Sequence, residues 1–314
     1  MECEWRLVSR TVLSSMIAFV VLGFIAVPQA MAADEFAGYG VEKYRGSSHG
    51  ECSSSNLFWT IDQVSNFAKK FNKWSSWETV EKFSNKAVDG RDFTDASKGT
   101  GGSDEACSCT SCSCTGKDHL SPYGADHADV VIISTHGSTR NSKTDAHLVM
   151  GDNSNDCKVT WEENMFWSED TDILITEACH SASYDVWSNS NRHTRTGFYA
   201  GIDEDGQFRA LLGYHGLSKD KPSFFSAPAF VSNSYSDAIV ENWILEMYDS
   251  SWRRKGVKQE ICPTAIVFGS TDAKIDNFAE NGGFKDRKDT GSKSRSSYFY
   301  IGGCDPHSAS ALPE

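Results

Sequence analysis

Asp129-Val130-Val131-Ile132-Ile133-Ser134, running into Thr135-His136-Gly137-Ser138, and Ile173-Leu174-Ile175-Thr176, running into Glu177-Ala178-Cys179-His180-Ser181, decide how this chain is read. Each apolar run is short for a core helix and rich in β-branched residues, so each predicts a strand buried on both faces. Working outward, further strands are predicted at Phe36 to Tyr44, Phe208 to Gly213, Thr264 to Gly269 and Ser297 to Gly302. Ile61, Val64, Phe67, Ala68 and Phe71 recur at helical spacing and predict an amphipathic helix between Leu57 and Trp74, followed by a loop-rich stretch. Ala238, Ile239, Trp243, Ile244 and Met247 mark the apolar face of another helix. Strands that are apolar throughout and alternate with helical segments predict an α/β sandwich with a mainly parallel sheet. Such sheets take their ligands beyond the carboxyl ends of the strands, which is where His136 and Cys179 both fall.

The amino terminus carries Arg6 and Arg10, an apolar run from Val12 to Val27, and then Ala30-Met31-Ala32. That order is the layout of a cleavable secretory signal over residues 1–32, leaving residues 33–314 as one domain. The run is short of the ~20 residues a spanning helix needs, so no stable membrane insertion is expected after cleavage. A formal net charge of -13 disfavours general nucleic-acid binding. The expected location is secreted, extracellular or periplasmic.

Of the ten cysteines, Cys3 leaves with the signal, and the remaining nine are an odd number. In an oxidising compartment an even subset pairs, and the leftover thiol is a candidate for reactivity. Cys107, Cys109, Cys112 and Cys114 sit in a Gly/Ser-rich insertion at about residues 97–124. They read as disulfide staples of that insertion, with soft-metal binding as the other reading of closely spaced thiolates.

A cysteine hydrolase needs a thiolate, an imidazole that exchanges protons with the substrate, and donors for the developing oxyanion. Neighbouring parallel strands would deliver His136 and Cys179 to one sheet edge, where the amides of Gly137 and Cys179 suit the oxyanion. A strand ending in His-Gly, followed some forty residues later by one ending in Glu-Ala-Cys, resembles the caspase, legumain and gingipain clan of cysteine peptidases. The resemblance covers about residues 129–215. It implies a caspase-like three-layer α/β/α sandwich, with His136 and Cys179 as the catalytic pair. The rest of the chain resembles a group of exported microbial proteins sharing this core, for which no substrate is implied.

Glu177, His180 and His215 are further candidates for the cleft. Glu177 is expected to hold its loop by a hydrogen bond or to select a basic substrate side chain, and His180 to tune the neighbouring thiol. Asp145 and Asp152 read as loop residues near the cleft, and Asp203-Glu204-Asp205-Gly206 as a turn, since it lacks the terminal Glu of a calcium loop. The remaining histidines show no ligand spacing. No Gly-x-Ser-x-Gly elbow and no phosphate-cradling Gly-Lys-Ser/Thr loop occurs, and no cofactor or metal is expected at the strand-end site. The resulting expectation is an exported cysteine endopeptidase acting on proteins or peptides. The alternative is a non-catalytic binding or surface module with the same fold, its Cys179 in a disulfide.

Overall fold

The computed structural model describes residues 34–44, 54–95, 116–120, 124–140, 145–149, 158–161, 164–167, 169–188, 207–218, 226–251, 253–254, 256–286, 293–306 and 308–314. Residues 1–32, expected to be a signal, Cys52, the Cys107 to Cys114 cluster, Asp152, Cys157 and the run from Asp203 to Gly206 lie outside them.

Seven strands make the main sheet: β1 (Asp34–Gly40), β2 (Trp77–Ser84), β3 (Val130–Ser134), β7 (Ile173–Glu177), β8 (Ala210–His215), β11 (Cys262–Gly269) and β12 (Arg295–Phe299), in the order β12-β11-β8-β7-β3-β1-β2. All neighbours from β2 to β8 pair in parallel, and β11 runs antiparallel to both β8 and β12. The order reverses between β1 and β3, the switch point at which such sheets open a crevice. A separate three-stranded antiparallel sheet follows β3 and comprises β4 (His136–Arg140), β5 (Asp145–Val149) and β6 (Lys158–Thr160). Arg253–Arg254 and Val257–Lys258, β9 and β10, form a small hairpin.

The double-faced burial predicted for the central strands is what their side chains do. Val130 and Ile132 enter one core, Val131 and Ile133 the other, and Ile173, Leu174 and Ile175 alternate likewise. Each such aliphatic side chain contributes roughly 1.5–3 kcal/mol by leaving water. One face is covered by α1 (Thr60–Phe71), α3 (Ser226–Asn233), α4 (Ile239–Met247) and α5 (Asp272–Asn281), through residues such as Phe67, Phe230, Trp243 and Phe278. The opposite layer holds the short α2 (Tyr184–Trp187), 3-10 turns around Phe93, and Leu148 and Val159 of the small sheet. The result is a three-layer α/β/α sandwich on a mainly parallel sheet.

Three expectations need correction. The stretch after α1 read as loop contains the edge strand β2, whose exposed Glu78 suits an edge. Asp145 belongs to β5 and not to a loop, because the chain after His136 turns back on itself as hairpins. α5 also went unread, although Thr271 caps it by accepting the Lys274 N–H and Ile275, Phe278 and Ala279 share its buried face. Among the described residues, no helix is long and apolar enough to cross a membrane.

Cys262 and Cys304 form a disulfide that ties the start of β11 to the segment after β12. Gly303 N–H then donates to the Pro313 carbonyl and Leu312 N–H to Cys304, folding residues 301–314 over a small cluster of Leu312, Tyr248 and Tyr300.

Candidate active site

β3 and β7 pair directly, Ser134 opposite Glu177, so the residues that follow them emerge side by side at one sheet edge. Thr135 N–H donates to the Glu177 carbonyl, continuing the ladder one step beyond the strands. Gly137 then lies so close to the Cys179 loop that a Cβ added there would stand 2.1 Å from the Cys179 carbonyl oxygen. The rim therefore carries His136-Gly137 and Cys179 in backbone contact, although 43 residues separate the imidazole from the sulfur in sequence. Cys179 is half-buried and outside any disulfide.

His136 is positioned from the loop after β1. Its Nε2 lies 2.7 Å from the Ser55 carbonyl. A carbonyl can only accept, so Nε2 carries the proton and Nδ1 is the basic nitrogen of the neutral ring. The ring packs against Tyr44, centroids 4.7 Å apart. The Tyr44 hydroxyl donates its single hydrogen to the Val41 carbonyl at 2.8 Å, and accepts from Thr135 Oγ1 at 2.9 Å and from the His136 N–H at 3.0 Å. One buried phenol thus fixes both the backbone and the ring face of His136. The sequence pointed to neither Ser55 nor Tyr44, because both act through contacts more than 80 residues away.

The loop that carries Cys179 is held from several directions. His180 N–H donates to the Gly216 carbonyl at 2.6 Å and Ala182 N–H to the Tyr214 carbonyl at 3.2 Å, so the chain after β7 doubles back along the end of β8. The Ala182 carbonyl accepts from Tyr298 and Thr264 hydroxyls, and Ser181 Oγ donates to the Thr176 carbonyl. His180 adopts φ 58°, a left-handed conformation costly for a residue with a Cβ, and its Nε2 lies 3.0 Å from Ser308 Oγ. At the sulfur itself, Ser218 N–H donates at 3.4 Å and Ser218 Oγ lies at 3.7 Å.

Glu177 is buried beneath this rim and its Oε2 accepts from the Tyr214 hydroxyl at 2.8 Å, the loop-holding bond expected of it. Burial raises the Tyr214 phenol well above its ordinary pKa, and the nearby charges of Glu177 and Cys179 push the same way, so Tyr214 stays a donor. His215 is a different case from its cleft expectation. It is fully buried, its Nδ1 accepts the Tyr184 N–H at 3.2 Å, and its Nε2 donates to the Ser310 carbonyl at 2.6 Å. Both ring nitrogens are engaged by backbone groups, so His215 fastens residues 308–310 to the sheet and does not face a cleft. Of the predicted residues, the structure brings His136, Gly137, Cys179 and His180 to one rim, with Glu177 just below.

No protein-family profile matches the chain, and no curated protein is similar to it. Among solved structures, protein GSU0716 from Geobacter sulfurreducens is similar at a TM-score of 0.36 and 10% identity, over 77% of this chain and 96% of that one. A likeness that low bears on neither fold nor function.

Proposed function

We propose that this protein is an exported cysteine endopeptidase that uses His136 and Cys179. The observation that carries the reading is the shared rim: Cys179, outside any disulfide, has its backbone against Gly137 at the start of β4, where the His136 imidazole is oriented by the Ser55 carbonyl. The resemblance of the two strand-end motifs to the caspase, legumain and gingipain clan supports it, as does the three-layer sandwich that the resemblance implied. The Cys262–Cys304 disulfide suits an oxidising compartment, in keeping with the signal-like residues 1–32.

In this reading the Cys179 thiolate attacks the scissile carbonyl carbon, and the amides of Gly137 and Cys179 stabilise the oxyanion. The carbon–nitrogen bond breaks as the protonated imidazole of His136 gives its Nδ1 proton to the leaving amine. A thioester remains. Neutral His136 then takes a proton from water, the hydroxide displaces the thiolate, and the carboxylic product leaves.

Profiling a peptide library with wild type beside Cys179→Ala and His136→Ala tests this. Cleavage by wild type that both variants lose supports it. Cleavage that persists in Cys179→Ala, or a wild type that cleaves nothing and whose Cys179 resists iodoacetamide, returns the chain to the non-catalytic module reading.

A further inference from the structure

Ser218 follows β8, and nothing in its sequence surroundings marks it. Its place is nonetheless enforced. β8 ends at His215, and Gly216 takes φ 80°, a left-handed turn in which its carbonyl receives the His180 N–H. Pro306 packs against Gly216 from the other side, close enough that a Cβ on Gly216 would meet its ring at 2.5 Å. The same segment is anchored nearby by Ser308 on His180 and by the Ser310 carbonyl on His215. The turn therefore has little freedom, and it carries residues 217 and 218 across the face of the sulfur.

We propose that Ser218 is the positioning residue of the nucleophile: its N–H and its hydroxyl together hold the Cys179 sulfur as a thiolate and aim it across the rim. The backbone N–H donates to the sulfur at 3.4 Å and Oγ lies 3.7 Å from it; a thiolate has no proton to give, so in that form the sulfur accepts from both, and hydrogen bonds to a charged form lower the pKa of the group that accepts them. Such help has a purpose at this site. Of the titratable groups around Cys179, Tyr214 donates its hydroxyl to Glu177. His136 lies across the rim on β4, and its Nε2 is committed to Ser55. His180, next in the chain, is turned through Nε2 to Ser308. Strand order places Ser218 on the β8 side of Cys179 and His136 on the β3 side, so the Ser218 donors and the proposed base belong to opposite neighbours of the strand that carries the sulfur.

The inference rests on the cysteine-nucleophile reading, but its test needs no substrate. Wild type, Ser218→Ala, Ser218→Gly and Ser218→Thr are alkylated with iodoacetamide across a pH series, the thiolate sulfur displacing iodide. The Cys179 peptide is then quantified by mass spectrometry, with Cys179→Ala as the blank. Ser218→Ala and Ser218→Gly, which keep the N–H and lose the hydroxyl, are expected to shift the reactivity profile alkaline. Their rates should fall about tenfold below wild type at mildly acidic pH and converge with it at alkaline pH. Ser218→Thr, which restores the hydroxyl, is expected to restore the profile. Superimposable profiles for wild type and Ser218→Ala, or a Ser218→Thr no better than Ser218→Ala, overturn the assignment. Peptide cleavage is not the readout, so a wild type that hydrolyses nothing would weigh against the peptidase reading while the profiles still decide the role of Ser218.

Discussion

Replacing Gly137 with alanine probes the rim at its tightest point. The new methyl carbon would stand 2.1 Å from the Cys179 carbonyl oxygen and 3.1 Å from the Ala178 methyl. The first of these is backbone, which cannot rotate away, and non-bonded carbon and oxygen need a little over 3 Å, so the His136 and Cys179 segments must part by about 1 Å. Overpacking of this kind typically costs about 1–3 kcal/mol, and the β3–β7 ladder below should survive it. Function should suffer more than stability. A misplacement of about 1 Å costs on the order of a hundredfold in rate when two groups must act together. The assay is paired: urea unfolding for stability, and kcat/KM on the best peptide from the library, with Cys179 alkylation as a substrate-free companion. A Gly137→Ala protein with wild-type stability and wild-type rates would show that the two segments do not share a rim, and the dyad would fall with it.

Two further outcomes follow from features away from the dyad. The Cys262–Cys304 disulfide spans a sequence separation of 42, and loop-closure entropy assigns such a link about 4 kcal/mol, so the Cys262→Ala/Cys304→Ala double variant should unfold at markedly lower urea. An unchanged midpoint would refute that. Asp118 is buried, and burial, reinforced by the charge of Asp95, raises its pKa from 3.8 to about 7. An acid held more tightly protonated when folded stabilises fully below pH ~4, and that contribution is lost as the pH rises through about 7. Wild type should lose up to roughly 4 kcal/mol from this group between those limits, and Asp118→Asn should flatten the loss while matching wild type in acid. Urea melts at the two ends of the range check it, and parallel curves for the two proteins would contradict it.

The central strands were legible because being apolar on both faces leaves a mark that needs no partner: Val130 to Ile133 and Ile173 to Ile175 announce a sheet covered on both sides. His136 and Cys179 could be picked out for the same reason, as polar residues where such runs stop. β2 was hidden because an edge strand tolerates charge, as at the exposed Glu78. The supports of the site were hidden for a different reason. Tyr44, Ser55 and Ser218 each act on a partner 39 to 92 residues away, and nothing local distinguishes a phenol that will anchor an imidazole from one that fills a core. His215 shows the converse, a histidine at a strand end whose position invited a role in the cleft and whose ring is occupied by the backbone around it.

The parallel pairing that builds the rim also governs when it comes into being. Ser55 meets His136 across 81 residues and Ser218 meets Cys179 across 39, contacts that close only after β1, β3, β7 and β8 have all found their neighbours. A chain in which that sheet is incomplete therefore carries a histidine and a thiol that are not yet held together. In the proposed peptidase, reactivity toward other proteins would therefore arise only with completion of the sheet, so the order of folding would itself keep the unfinished chain inert.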